Sequence, residues 1–259
     1  MVEDIQIPKS LVPLEERENL KTIEELKKKV SEAHEKKEEE ESKIKLRECF
    51  YEIKGIFLYY LDISEENAII LTLWTMGAVL HFNFDSFPIL YLGGMRGSGK
   101  SRTLKLISAI CNGKHILSPT EAVLFRTYGQ LSLDEMEAIS GRDRSAVKEF
   151  LNGCYKKGMK VIRMKKVKGL EEKQVPEEFE VYRPVAIGNI YGLENVLSDR
   201  CISIFMEKSG DQAKIRILED FSTNEMIEKV RKKLFSVVSV SVVLLKHQHT
   251  TSAWNTYIY

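Results

Sequence analysis

The amino-acid sequence predicts an α/β fold, a parallel sheet flanked by helices and preceded by a charged helical arm, and three observations carry that prediction. Short apolar runs near residues 88–92, 130–133 and 185–188 alternate with segments of helical spacing. The first run ends at Gly93-Gly94 and passes directly into a helical pattern, giving the order strand, glycine loop, helix. Residues 14–46 are dominated by Glu and Lys, including the run Glu38 to Glu41, with Leu20, Ile23, Leu26 and Val30 at spacings of three and four. Such a narrow apolar stripe suits a solvated helical arm or a short coiled-coil contact, not a core.

From Phe50 the composition turns aromatic and aliphatic, and Ser64-Glu65-Glu66 precedes a dense apolar segment through Leu80, which reads as a buried helix. Pro88 to Leu92 reads as a strand and Lys100 to Ile110 as a helix. Ser118-Pro119-Thr120-Glu121 has the N-cap, N1 proline and N3 acid of a capping box, so a helix is expected over Ala122 to Tyr128, stopped by Gly129. Gln130 to Leu133 reads as a strand, Ser145 to Lys156 as a helix and Val185 to Gly188 as a third buried strand. Ser222-Thr223-Asn224-Glu225 is a second capping box, opening a basic helix to about Leu234, and the remainder to Tyr259 is not expected to continue it. The resulting division is an arm over 1–62, a core over 63–210 and a C-terminal helix and tail over 211–259.

Composition narrows the function. The chain has 259 residues, 43% hydrophobic and 30% charged, which excludes a disordered chain and leaves room for one sizeable domain. A net charge of +1 excludes coating nucleic acid by bulk charge, so any polyanion must meet a local patch. The four cysteines are far apart, with no Cys-x-x-Cys pair and no His at ligand spacing, so a zinc knuckle or disulfide framework is not supported. The longest apolar run, Ala68 to Leu80, is short of the roughly 20 residues a bilayer requires, and the acidic start is not a signal peptide. No membrane association is expected, and the chain reads as cytoplasmic.

Gly94-Met95-Arg96-Gly97-Ser98-Gly99-Lys100-Ser101 fits G-x-x-x-x-G-K-[ST], the P-loop pattern, and it sits after a strand and at the opening of a helix, as the mechanism requires. Glycines let backbone N–H groups wrap the α- and β-phosphates, and the helix N-terminus adds positive potential. Gly94, Gly97, Ser98, Gly99, Lys100, Ser101 and the adjoining Arg102 are therefore the expected nucleotide-binding residues, with ATP and Mg²⁺ as cofactors. Lys100 would reach the β- and γ-phosphates, and the Ser101 hydroxyl would ligate the metal. An ordinary glycine turn competes poorly, because the pattern arises by chance about once per hundred chains of this size.

A P-loop needs a carboxylate on the metal side and a group to orient water, both at the end of a neighbouring strand. Leu131-Ser132-Leu133-Asp134-Glu135 supplies them: Asp134 for Mg²⁺, usually through its water shell, and Glu135 to polarise the attacking water. An acidic pair at a strand end can also merely cap a helix. Asn189, at the tip of the strand that starts at Pro184, is placed to touch the γ-phosphate or the water, although Asn also turns chains well. Arg200, before the run Cys201 to Phe205, could stabilise transition-state charge in a neighbouring subunit's site or simply form an ion pair.

Lys156 to Lys168 contains no acid. Alternating Val161, Arg163, Lys165 and Val167 suggest one arm of a hairpin, turning near Gly169 and returning over Phe179 to Tyr182. Lys160, Arg163, Lys165, Lys166 and Lys168 then form a candidate DNA-binding cluster with little sequence preference. A solvated edge strand whose lysines block edge-to-edge pairing accounts for them equally well. His247 and His249 have no further ligand nearby, so an exposed tail is the better reading there.

Taken together, Leu73-Trp74, Gly94 to Ser101, Ser118 to Arg126, Leu133-Asp134-Glu135, Phe150-Leu151-Asn152-Gly153, Pro184 to Asn189 and Leu197-Ser198-Asp199-Arg200 resemble the P-loop ATPase domain of primase-helicase-like proteins from bacterial, archaeal and viral mobile elements, a group similar to AAA+ ATPases. The likeness spans about Ala68 to Met206. It implies a Walker B pair at Asp134-Glu135, a sensor at Asn189, an arginine finger at Arg200, a DNA-facing hairpin and homo-oligomeric rings such as hexamers. As departures from that group's pattern, residues 1–62 do not read as a primase catalytic domain, and no helical lid is expected from residues 211–259. The sequence thus supports an ATP-driven ring motor on DNA, with a nucleotide-gated DNA-binding or assembly module of slow turnover as the other reading.

Overall fold

The computed structural model describes residues 28, 37, 40, 41, 43–135, 141–167, 173–189, 195–217 and 220–248. Two compact units divide the chain, Met1–Lys45 and Leu46–Tyr259. In the first, the described residues are helical. Leu20, Ile23, Leu26 and Val30, the predicted stripe of the arm, lie outside the described residues, as do Lys168, Gly169 and His249.

The second unit opens with helix α1, residues 46–60, and α2, Glu65–Val79. Cys49, Ile53, Ile56, Phe57 and Tyr60 are buried in the core, so α1 packs as part of the second unit although the sequence groups it with the arm. Ser64 starts α2 as expected, its Oγ accepting the Asn67 N–H at 3.2 Å. The Trp74 indole N–H donates to the Pro88 carbonyl at 2.9 Å, which ties α2 to the chain entering the sheet.

Five strands follow in one sheet: β1 Ile89–Gly93, β2 Lys114–Leu117, β3 Leu131–Asp134, β6 Val185–Asn189 and β7 Cys201–Phe205. Their order is β2-β3-β6-β1-β7 and every pairing is parallel. The period of two along each strand divides the core. Leu90, Leu92, Ala186 and Ile204 face α1, α2, α3 (Lys100–Cys111) and α8 (Glu225–Gln248). Ile89, Leu131, Leu133, Val185 and Ile187 face α4 (Glu121–Arg126) and α5 (Gly141–Gly153). The remaining helices are short, α6 Asn195–Ser198 and α7 Gln212–Arg216.

Between α5 and β6 stands an antiparallel hairpin, β4 Lys160–Val167 and β5 Lys173–Glu180. The returning strand therefore starts six residues before the predicted Phe179. Two other expectations are corrected. Ser118 is no N-cap: it has φ 46° and its N–H reaches the Asp134 carbonyl, while α4 begins after Thr120 with Glu121 as its first residue. The last helix does not stop near Leu234 but runs to Gln248. Ile227, Val230, Leu234, Val237 and Val238 keep a buried stripe at helical spacing, so packing carries the helix past Leu234 into the valine-rich segment against its weak helix propensity. Its N-cap is Asn224, whose Oδ1 accepts the Ile227 N–H at 3.0 Å, and not the expected Ser222, whose hydroxyl donates to the Asp220 carboxylate at 2.7 Å.

Candidate functional site

All five strands run the same way, so β1, β3 and β6 deliver their C-terminal residues to one end of the sheet. There a cavity of about 680 Å³ opens, the size of a small-molecule site. Its floor is the loop between β1 and α3. Gly94, Gly97 and Gly99 have φ of 148°, 80° and 91°, conformations that glycine reaches without a Cβ penalty. A Cβ on Gly94 would also stand 2.3 Å from the Met206 carbonyl oxygen. With these three positions fixed, the loop turns tightly into the first turn of α3, the Ser98 N–H donating to the Met95 carbonyl at 3.3 Å, and Gly97, Ser98 and Gly99 line the cavity.

Lys100 is the first residue of α3 and is buried. Its ammonium donates to the Gly94 and Met95 carbonyls at 2.7 and 2.9 Å. An ammonium has three donors, so one remains for a ligand. The Ser98 hydroxyl is buried without a hydrogen-bond partner, an orphaned polar group inside the same loop. Gly94 packs on the Met206 carbonyl and does not itself line the cavity; Gly97, Gly99 and the unpaired Ser98 hydroxyl make the cradle that fits phosphate oxygens.

Asp134 closes β3 and is buried, its side chain 5% exposed. Burial alone would push its carboxyl up. Hydrogen bonds from His115, the Ser101 hydroxyl and the Glu135 N–H outweigh that and hold it below the usual carboxylate range. His115 Nε2 lies 3.3 Å from Oδ2, and the Glu135 N–H lies 3.0 Å from Oδ1. Glu135 is exposed at the cavity with φ 51°, a left-handed conformation costly for a residue with a Cβ. Ser101 and Asp134 are hard oxygen donors in contact with each other, the set that suits Mg²⁺ shared with phosphates. Among the described residues no group of three His, Cys, Asp or Glu could hold a metal by itself.

Of the other predicted residues, Arg102 lines the same cavity, whereas Asn189 and Arg200 do not. Arg102 points its guanidinium away from the glycine loop, to the carbonyls of Tyr60, Lys214, Ile215 and Ile217. It thus ties the first turn of α3 to the end of α1 and to α7. Asn189 ends β6 opposite Gly93, and it is the preceding Gly188 that lines the cavity. Arg200 sits at the opposite end of the sheet, its carbonyl accepting the Ile89 N–H as β1 begins. About 13 Å of strand separates Ile89 from Gly93. The Arg200 guanidinium binds the Asn152 carbonyl and Oδ1 at 2.8 and 2.9 Å and lies 4.7 Å from the Tyr155 ring centre.

In the hairpin, register supplies what the local sequence lacked. Lys160 pairs with Glu178 at 2.7 Å and Lys165 with Glu177 at 3.3 Å. Arg163 binds Glu121 of α4 and Glu149 of α5 and lies 4.8 Å over the Phe125 ring. Lys160, Arg163 and Lys165 thus each have a carboxylate partner from another segment, and Ile162 and Met164, on the face that Lys160 shares, are exposed. Of Lys166 only the backbone is described, in register with Gln174.

Sequence reasoning missed His115, Gly188 and the far end of the cavity. That end is lined by Leu61, Asp62, Lys214 and Ile215. Asp62 accepts from the Ser209 hydroxyl at 2.8 Å and the Lys214 ammonium donates to the Leu61 carbonyl at 2.9 Å. The available signal was Asp211, an N-cap residue type, whose Oδ1 accepts the Ala213 and Lys214 N–H groups at the start of α7 at 2.9 and 3.3 Å. Among the described residues no helix is long and apolar enough to cross a membrane.

No protein-family model matches the sequence, and no curated protein matches it. Among solved structures, the chain is similar to the apo A form of the NrS-1 C-terminal region at 14% identity, TM-score 0.36, over 73% of this chain and 43% of that one. It is similar to JCV helicase at 13% identity, TM-score 0.35, over 78% and 68%, and to JCV helicase bound to a phenoxyphenyl acetamide at 16%, TM-score 0.32, over 79% and 62%. The chain therefore spans less than half the length of the first of these structures.

Proposed function

We propose that the chain is a Mg²⁺-dependent ATPase that binds and hydrolyses ATP and works as an oligomeric motor on DNA, of helicase or translocase type, in the replication of a mobile element. The observation that supports it most is the meeting of Lys100, Ser101, Asp134 and Glu135 at one end of a parallel sheet, around one cavity with a glycine cradle as its floor. In this reading the loop amides and the Lys100 ammonium bind the β- and γ-phosphates, and the nucleoside extends toward Leu61 and Ile215. Ser101 and Asp134 hold Mg²⁺, which when bound neutralises the charge developing on the transferred phosphoryl group. Glu135 orients the attacking water and takes its proton, and Asn189, next to the cavity-lining Gly188, steadies the γ-phosphate by turning inward once nucleotide is bound. Arg200 acts from one subunit into the next, which requires that it leave Asn152 on assembly.

The test is ATPase turnover with and without single- and double-stranded DNA, alongside light scattering with and without nucleotide. The motor reading expects turnover stimulated by DNA and a nucleotide-dependent gain in mass. It fails if DNA leaves turnover unchanged and the double charge reversal Lys165→Glu, Lys166→Glu leaves DNA binding unchanged.

The internal pairing of Lys160, Arg163 and Lys165 and the hold of Asn152 on Arg200 favour a second reading, a nucleotide-gated DNA-binding or assembly module with slow turnover and no translocation. Glu135→Gln separates the two. A switch is trapped by it as a competent ATP-bound oligomer, whereas a motor is stopped.

A further inference from the structure

We infer that His115 is a positioning residue for the metal-side carboxylate: its Nε2–H fixes the orientation of Asp134 and so sets the affinity of the site for a divalent cation. The inference rests on the nucleotide-site reading above.

The geometry follows from the register of the sheet. In the parallel β2–β3 pair, His115 stands opposite Ser132 and Leu117 opposite Asp134. Paired residues project to the same face, and so do residues two apart on one strand, so His115 and Asp134 share a face as diagonal neighbours. That face is the α3 side, where the Ser132 hydroxyl donates to the Leu104 carbonyl at 3.0 Å. The imidazole is itself mostly covered, 16% exposed, and it stands 3.3 Å from Oδ2. An ionised carboxylate has no proton to give, so the imidazole is the donor and Nε2 carries the hydrogen.

Each contact removes one degree of freedom from the carboxylate. Oδ1 is held by the Glu135 N–H at 3.0 Å and is walled by Gly188, where an added Cβ would also lie 3.0 Å from it. Oδ2 has His115 on the side of β2. A carboxylate pinned at both oxygens keeps one set of lone pairs directed at the Ser101 hydroxyl, where the cation of a P-loop site is bound. Without His115, Oδ2 can rotate about χ2, whose well is broad for Asp. Partners that orient a ligating carboxylate typically carry about 10–100-fold in metal affinity.

The test measures metal binding rather than turnover. Mn²⁺ is titrated into protein saturated with a nonhydrolysable ATP analogue, and free Mn²⁺ is read by electron paramagnetic resonance for wild type, His115→Ala, His115→Phe and His115→Gln. Analogue affinity in excess EDTA and ligand-free melting are measured in parallel. His115→Ala and His115→Phe should weaken Mn²⁺ binding by about 10–100-fold while analogue affinity in EDTA stays within about twofold. His115→Gln places an amide N–H near the former Nε2 and should restore Mn²⁺ binding to within a few-fold of wild type. Since Phe and Gln both fill the space, their contrast decides the matter even if the Ala variant does not fold. Wild-type Mn²⁺ affinity in the Phe variant, or an equal loss in Phe and Gln, overturns the inference while leaving the nucleotide site intact. A wild-type protein that binds no analogue overturns the site reading and this inference together.

Discussion

Gly188→Ala tests how tightly the three strand ends are assembled. Gly188 needs no special backbone conformation, so the substitution acts through space alone. The new Cβ would sit 3.0 Å from Asp134 Oδ1, 3.0 Å from Leu104 Cδ1 and 3.7 Å from Lys100 Cβ. Ordinary contacts to a methyl carbon start at about 3.5 Å, so two neighbours must each retreat by about half an ångström. Leu104 is fully buried and its carbonyl holds the Ser132 hydroxyl, which leaves it little room. Asp134 is the group that yields, against the His115 and Glu135 hydrogen bonds. Overpacking of this kind costs about 1–3 kcal/mol, which for a unit of about 200 residues lowers the melting temperature by roughly 2–4 °C per kcal/mol. Displacing the metal-side carboxylate should also raise the Mg²⁺ concentration needed for analogue binding by about tenfold, equivalent to about 1.4 kcal/mol. Scanning calorimetry of the ligand-free protein and a Mg²⁺ titration at fixed fluorescent analogue measure the two effects. If the variant melts within about 1 °C of wild type and needs no more Mg²⁺, the close packing of Gly188 on Asp134 is not what organises the site.

Lys100→Ala removes a charge-assisted contact worth about 1.5–3 kcal/mol and should weaken analogue binding by about 10–150-fold in an equilibrium titration. Gly94→Ala places a Cβ 2.3 Å from the Met206 carbonyl oxygen and should abolish analogue binding as well as lowering the melting temperature, since backbone has to move. Arg163→Leu leaves Glu121 and Glu149 without their shared cation; two partly exposed ion pairs contribute up to about 1 kcal/mol each, so denaturant melts should show a loss of about 1–2 kcal/mol that shrinks in molar NaCl. Burial, with a smaller contribution from the Asp85 charge, pushes the Tyr182 hydroxyl up to about 12, where it donates to the His81 and Phe84 carbonyls. The folded value lies above the unfolded one of about 10, so the stability it contributes is complete below pH 10 and lost as pH rises toward the folded value. Alkaline melts of wild type should therefore fall more steeply in that window than those of Tyr182→Phe.

Local signals carried the parts of the fold that local chemistry dictates. The glycine loop, the α2 cap at Ser64 and the three apolar strand runs were legible because each is specified within a few residues of itself. Partners set by register were not. Lys160 and Lys165 read as an unbalanced basic strand because Glu178 and Glu177 reach them only through the pairing of β4 with β5. His115 carries no local signal, and it meets Asp134 only because β2 lies beside β3. Arg102 follows the P-loop serine in sequence, yet its position on the first turn of α3 aims it at carbonyls of α1 and α7. Ser118-Pro119-Thr120-Glu121 satisfied the capping pattern, but the Ser118 N–H meets the Asp134 carbonyl and Glu121 turns to Arg163, so Thr120 holds the N-cap position without a side-chain cap bond. The valine run of α8 read as the end of a helix because propensity is local and the stripe packed against α3 is not.

Equilibrium binding of a fluorescent nonhydrolysable ATP analogue, with and without Mg²⁺, to wild type and to Asp134→Asn bears most directly on the central claim that the glycine cradle and the β3 carboxylate form one nucleotide–metal site. The account predicts saturable one-to-one binding that Mg²⁺ tightens in wild type and no longer tightens in Asp134→Asn. Absence of binding in wild type, or equal Mg²⁺ enhancement in the two proteins, would contradict it.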